Sequence, residues 1–234
     1  MAIDDLDNRS PLRILESSIH GGLGKGNIGV LASRKGVGKT ACLVQLGIDK
    51  LFQGKPVIHV SYSSRVDHII NWYEDIYREL ARRMNFEPAP DTYGDLVKKR
   101  VIMNFNQEGT RTDQVLRSLE AMIEHGRFAA ETIIVDGFNF PQSSPDNLTR
   151  FKEFAGRLRI ELWFSASLKG PEPLFNERGI PVELLTCLDL IDVLITLRHW
   201  NNRVELRLIK DHGYAAASDL RLSLDPTTLL ITKP

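Results

Sequence analysis

The sequence predicts an α/β fold with a mostly parallel central sheet. Through the first two thirds of the chain, apolar runs of strand length alternate with segments whose apolar residues recur every three to four positions. Parallel strands need long crossover connections, which helices supply. A loop rich in glycine, residues 33–40, follows the first apolar run and opens the first long helical pattern. In sheets of this class, ligands bind where the strands end, so the loop is the first candidate site.

This glycine loop has the sequence Ser33-Arg34-Lys35-Gly36-Val37-Gly38-Lys39-Thr40. It matches the phosphate-binding pattern Gly-x-x-x-x-Gly-Lys-Ser/Thr, except that Ser33 stands in place of the first glycine. In that pattern, backbone N–H groups cup an anion, the lysine reaches the β/γ-phosphates and the hydroxyl binds Mg²⁺. The expected nucleotide-binding residues are Ser33, Arg34, Lys35, Gly36, Val37, Gly38, Lys39, Thr40 and Ala41.

The elements before and after this loop are predicted in chain order. Residues 1–10 are expected to be a flexible tail, and residues 11–234 a single domain. A short helix over 12–19 and a glycine-rich turn over 20–26 lead into the strand at 28–32. The helix of 41–52 ends at Gly54, and Pro56 prevents its continuation.

The second strand, 57–62, is followed by a polar turn, 63–65, and a long amphipathic helix. The apolar face of this helix is predicted to comprise Val66, Ile69, Ile70, Tyr73, Ile76, Tyr77, Leu80 and Met84. Further along, the pattern predicts a short helix at 95–99, a strand at 101–105 and a helix at 113–125.

The apolar strand 132–136 ends in Asp136, which we interpret as the acidic partner of the glycine loop. A carboxylate at the carboxyl end of a parallel strand lies where ligands bind, and it can hold Mg²⁺ directly or through water. Thr40 and Asp136 are therefore the predicted metal residues.

The last third of the chain is predicted to contain more strand than helix. Helices are expected at 144–157 and 182–188, with a strand at 160–164 and a long loop at 168–181 between them, which is expected to be mobile or functional. Four further strands are expected at 193–197, 204–209, 220–224 and 229–231. Their short connections favour antiparallel pairing at the edge of the sheet.

Composition and charge argue against several classes of protein. The 234 residues carry 30 Lys and Arg against 30 Asp and Glu, so the formal net charge is zero. A balanced charge gives no overall attraction to DNA or to an anionic membrane, although a local DNA-binding patch stays open. Cys42 and Cys187 lie in apolar stretches and predict buried thiols. No signal peptide or membrane-spanning run is evident, so a soluble cytoplasmic protein is expected.

The order of these motifs resembles the RecA/KaiC/DnaB branch of P-loop NTPases, over residues 16–232. The lead-in 21–26 is similar to the Gly-Gly-Leu-x-x-Gly of KaiC-like proteins, and Leu208-Ile209-Lys210-Asp211-His212-Gly213 resembles their Lys-x-Arg strand end. The resemblance implies a three-layer α/β/α domain with antiparallel edge strands at its C-terminal end. It also implies ATP or ADP and Mg²⁺ as ligands, and a homo-oligomer in which Lys210 acts across subunits.

Two departures from that family concern hydrolysis. The family's catalytic glutamate follows the second strand, where this chain has Ser63 and Ser64. The first acids downstream, Asp67 and Glu74, are candidates for the missing base but fall on the helix. The family's finger arginine aligns with His212. The resemblance therefore implies nucleotide binding with slow or absent hydrolysis, as in a switch or assembly protein.

The sequence leaves three other functions open. An active DNA-associated RecA/DnaB-like ATPase would need another base and a basic surface. A MinD/ParA-type ATPase would carry Lys-Gly-Gly-Val-Gly-Lys-Thr, which the chain matches except at Arg34 and Lys35. A small-molecule kinase would need a lid rich in arginine, and none is evident.

Overall fold

The computed structural model describes residues 10–63, 65, 67–84, 92–107, 109–201, 203–214 and 220–233. The expected tail falls outside this part of the chain except for Ser10, and so does Ser64. The strands are β1 Ile28–Ser33, β2 Val57–Ser61, β3 Arg100–Asn104, β4 Thr132–Asp136, β5 Glu161–Ser167, β6 Val193–Trp200, β7 Arg203–Asp211, β8 Leu222–Leu224 and β9 Ile231–Thr232.

The helices connect these strands. They are α1 Leu12–Ser18, α2 Lys39–Phe52, α3 Asp67–Arg83, α4 Thr92–Lys98, α5 Thr112–Glu120 and α6 Pro145–Leu158. A π-helical turn, Ala121–His125, continues α5, and short 3₁₀ helices span Phe140–Gln142 and Val182–Leu190. Pro145 stands at the first turn of α6, where its missing N–H costs no hydrogen bond.

All nine strands form one sheet in the order β3-β2-β4-β5-β1-β6-β7-β8-β9. The first six strands in this order pair in parallel, and β7, β8 and β9 add to the edge by antiparallel pairing. The carboxyl ends of β1, β4 and β5 therefore lie side by side. The mostly parallel α/β sheet and its antiparallel edge agree with the sequence-based expectation.

Apolar cores lie on both faces of this sheet. The burial of β1 alternates between them: Leu31 belongs to the core that α1, α2, α3 and α4 cover, whereas Val30 belongs to the core that α5 and α6 cover. Because both faces are covered, β1 and β2 are buried along their whole length. Strand sequences of this kind read as continuous apolar runs rather than as alternating ones.

The structure corrects some predicted boundaries. The segment 182–190 is a 3₁₀ helix, and β8 and β9 are shorter than predicted and begin two residues later. Ile70 was predicted to face inward but is 37% exposed, whereas Ile69 and Tyr73 of the same helix are buried. Cys42 and Cys187 are buried free thiols, as expected. Among the described residues, no helix combines the length and apolar character that crossing a membrane would require.

Candidate functional site

The glycine loop joins the carboxyl end of β1 to the first turn of α2. Gly36 has φ 84° and Gly38 has φ 115°, a region that side chains with a Cβ rarely adopt. A Cβ on Gly38 would also lie 2.2 Å from Leu224 Cδ2, whereas a Cβ on Gly36 would meet open space. Gly38 is therefore required by both backbone conformation and packing, and Gly36 by conformation alone.

The ammonium group of Lys39 lies inside this loop. It donates hydrogen bonds to Ser33 O at 3.1 Å, Ser33 Oγ at 3.1 Å and Arg34 O at 2.9 Å. Burial lowers the pKa of Lys39 to about 8, and the negative charge of Asp136 offsets only part of this effect. Three oxygens thus hold the buried Lys39 ammonium group inside the loop that is expected to bind phosphate.

Ser33 occupies the position at which the sequence departs from the phosphate-binding pattern. As the last residue of β1 it is extended and 1% exposed, so its backbone has no need of glycine. Its hydroxyl donates to Arg34 O at 3.0 Å while it accepts from Lys39. Ser33 therefore gives Lys39 a side-chain hydrogen-bond acceptor that glycine would not provide.

Asp136 lies next to the glycine loop, as predicted. Thr40 Oγ1 donates to Asp136 Oδ2 at 2.8 Å. Ser165 Oγ donates to Asp136 Oδ1 at 2.6 Å and accepts from the Gly137 N–H at 2.8 Å. Both carboxylate oxygens are thereby held in place at the ends of neighbouring strands.

Sequence reasoning missed Ser165. Its signal was the run Ser165-Ala166-Ser167, a polar end to an apolar strand, but chain position alone does not show that β5 lies between β4 and β1. That strand order brings Ser165 next to Asp136.

The oxygens of Thr40 and Asp136 are the kind of ligand that Mg²⁺ prefers. Within the described ranges, no group of three or more His, Cys, Asp or Glu could hold a metal ion. A Mg²⁺ ion at Asp136 would therefore need oxygens from phosphate and water to complete its shell.

The remaining residues of the predicted nucleotide site fall into two groups. Arg34, Lys35 and Gly36 are exposed, and Val37 and Ala41 are buried. Arg34 Nη2 donates to Glu172 Oε1 at 2.5 Å, which connects the glycine loop to the long loop after β5. This ion pair is open to solvent, so it contributes little to stability.

The candidates for a catalytic base have other partners. Asp67 pairs with Arg65, and Glu74 pairs with Arg78, in both cases on the exposed side of α3. Ser63 Oγ accepts from the Arg65 N–H at 3.2 Å, as in a turn. None of these contacts brings a carboxylate to Lys39 or Thr40.

Lys210 and His212 are also bonded within the chain. Lys210 Nζ donates to Leu188 O at 2.8 Å. His212 Nδ1 lies 2.8 Å from Asp211 Oδ1, and Nε2 lies 3.0 Å from Leu23 O. Both partners are oxygen acceptors, so a protonated ring would satisfy both contacts. Burial alone would lower the pKa of His212, but the hydrogen bonds to Leu23 and Asp211 and the negative charges of Asp211 and Asp192 together raise it.

No protein-family model matches the chain. A comparison with curated proteins likewise finds no match.

Proposed function

We propose that the protein binds ATP or ADP, with Mg²⁺, at the glycine loop. The observation that carries this proposal is the position of Lys39. Its ammonium group is held inside a loop with two left-handed glycines, at the N-terminal end of a 14-residue helix. A loop and helix start of this kind offer backbone N–H groups and a positive dipole end to a phosphate.

Phosphate binding exchanges one set of Lys39 contacts for another. The ammonium group now bonds neutral oxygens of Ser33 and Arg34. A charged phosphate oxygen is a stronger acceptor, and the contact it makes is charge-assisted. The lysine is therefore held close to its expected partner by weaker contacts that the nucleotide can replace.

The oxygens of Thr40 and Asp136 beside the glycine loop favour binding of a nucleotide with Mg²⁺ over binding of a simple anion. Thr40 Oγ1 and Asp136 Oδ2 are 2.8 Å apart beside the loop, so both can bind Mg²⁺ or its water molecules. When bound, Mg²⁺ supplies charge neutralisation between phosphate groups. Ser165 keeps the Asp136 carboxylate oriented toward this place.

The antiparallel edge of the sheet supports the RecA/KaiC/DnaB-like form of this function over the MinD/ParA-type alternative. A resemblance to that branch implies parallel strands followed by antiparallel ones. In this sheet β6 pairs in parallel with β1, and β7, β8 and β9 follow it by antiparallel pairing. The internal contacts of Lys210 and His212 would have to break before either residue could reach a neighbouring subunit. We therefore propose a nucleotide-dependent switch or assembly protein with slow hydrolysis, in preference to an active DNA-associated ATPase.

The proposal is tested by calorimetry of MgATP and MgADP binding to wild type, Lys39→Ala and Lys35→Ala. Loss of a charge-assisted phosphate contact costs about 1.5–3 kcal/mol, so Lys39→Ala should bind roughly ten- to a hundredfold more weakly. Lys35 is exposed in the same loop and serves as the matched control, with little change expected. Equal affinity of wild type and Lys39→Ala would exclude the glycine loop as the binding site.

A further inference from the structure

A cavity of about 420 Å³ lies between the loop 176–179 and the strands β6 and β7. We call it the arginine pocket, because its charged lining residues are Arg178, Arg198, Arg207 and a single carboxylate, Glu177. Arg198 lies opposite Glu205 in the antiparallel register, and Arg207 is two residues beyond Glu205. Since side chains alternate along a strand, Arg198 and Arg207 project from the same face of the sheet.

Positive charge is in excess in this pocket. Arg207 Nε donates to Glu205 Oε2 at 2.6 Å, so one arginine is partly neutralised from outside the lining. Three arginines then face two carboxylates, Glu177 and Glu205, which leaves at least one positive charge. Burial, followed by the charge of Arg207, lowers the pKa of Arg198. A negatively charged ligand would relieve this repulsion.

Two buried polar atoms, one in the lining and one beside it on the same face of the sheet, have no hydrogen-bond partner among the described residues. They are Arg198 Nε and Thr196 Oγ1. The Arg198 guanidinium carbon lies 3.7 Å from the centre of the Phe175 ring, and Nη2 reaches Gly179 O only at 3.3 Å. Thr196 is fully buried and lies opposite Arg207 in the register. Unpartnered buried groups are uncommon in folded proteins, and strain, a water molecule or an ion can account for them.

We propose that the arginine pocket binds the phosphate group of a small organic phosphate. A phosphate monoester carries about −1.5 to −2 charge near pH 7 and three acceptor oxygens, which suits guanidinium groups on two walls. The cavity falls within the usual range of small-molecule sites, about 300–1,000 Å³, which leaves space for an organic portion against Ile209. Its lining shares no residue with the glycine loop, so this inference does not depend on the nucleotide proposal.

The test measures binding of phenyl phosphate and of inorganic phosphate by calorimetry to the full chain carrying Lys39→Ala. That substitution weakens phosphate binding at the glycine loop and leaves the pocket intact. Arg207→Gln and Arg178→Gln are then added singly, and Arg203→Gln serves as the control on β7. Arg198 stays unchanged in the main series because it packs on Phe175, and thermal unfolding of each variant checks its fold.

We expect saturable binding of phenyl phosphate, tighter than that of inorganic phosphate. We expect Arg207→Gln and Arg178→Gln each to weaken it roughly tenfold or more, as for a lost charge-assisted contact. Arg203→Gln should leave it unchanged. Absence of binding, or binding that both pocket substitutions leave intact, would overturn the proposal. Binding of a single-stranded oligonucleotide in place of both small phosphates would overturn it too.

Discussion

Lys39 combines two properties that oppose each other, burial and a positive charge. Its side chain is held by oxygens of Ser33 and Arg34, and no carboxylate contacts it directly among the described residues. Desolvation therefore dominates and brings its pKa to about 8. A phosphate placed against the ammonium group would favour the charged form and raise this pKa.

A pH dependence of nucleotide affinity follows from this shift. Below about pH 8 the lysine is already protonated in the free protein. Above that value the free protein must take up a proton on binding, so affinity should fall by up to about tenfold per pH unit. Calorimetry of MgATP binding between about pH 7 and about pH 9.5 measures this effect.

Lys39→Arg is the matched variant for this measurement. Arginine keeps its charge throughout the range, so its affinity should be nearly independent of pH even if it is weaker overall. An affinity of wild type that stays level across the same range would contradict the assignment of Lys39 as the phosphate contact.

At the scale of elements, the glycine loop depends on β8 as well as on β1 and α2. Leu224 of β8 packs against Gly38, so the antiparallel edge of the sheet limits what the loop can contain. This contact joins residues far apart in the sequence. The glycine pattern alone indicates only that a turn is needed.

A pair of substitutions separates conformation from packing in this loop. Gly36→Ala meets only the cost of its left-handed backbone, about 1–2 kcal/mol. Gly38→Ala meets a similar backbone cost and a clash with Leu224 Cδ2, and overpacking typically adds about 1–3 kcal/mol. Urea unfolding should therefore show a larger loss of unfolding free energy for Gly38→Ala. Equal losses would mean that Leu224 moves aside without cost.

The sequence was informative wherever the signal was local. The glycine loop, the buried strand ending in Asp136 and the helical periodicity of α3 could all be predicted, because each depends on neighbouring residues. Ser165, the partners of His212 and the arginine pocket could not, because each depends on which strands are adjacent. The segment 182–188 is predicted to be helical, but its apolar spacing does not distinguish an α-helix from the 3₁₀ helix that spans 182–190.

At the scale of the whole molecule, the proposed nucleotide binding and its hydrolysis would depend on different residues. The residues that would hold ground-state phosphates, Lys39 and Thr40, lie together, whereas Asp67 and Glu74 are paired with arginines on α3. Ser63 follows β2, where the resemblance to RecA/KaiC/DnaB proteins implies a catalytic carboxylate. The hydroxyl of a serine is too weakly basic at neutral pH to take a proton from water unaided.

We therefore expect ATP turnover well below the ~1–10³ s⁻¹ of typical enzymes. A positioned general base contributes roughly 10²–10⁴-fold, so Ser63→Glu should raise turnover without a matching change in nucleotide affinity. Ser63→Gln introduces a side chain as long as glutamate but without a basic group, so it serves as the control. Phosphate release assays measure ATP turnover by wild type and by both variants. Rapid turnover by wild type without any partner would refute the switch interpretation.

The most direct test of the central claim is a crystal structure of the protein grown with ATP and Mg²⁺. We expect nucleotide phosphates within the glycine loop, with Lys39 Nζ moved from Ser33 O and Arg34 O onto a phosphate oxygen. We also expect Mg²⁺ beside Thr40 and Asp136. A structure in which Lys39 keeps its present contacts while the nucleotide occupies another surface would contradict the account.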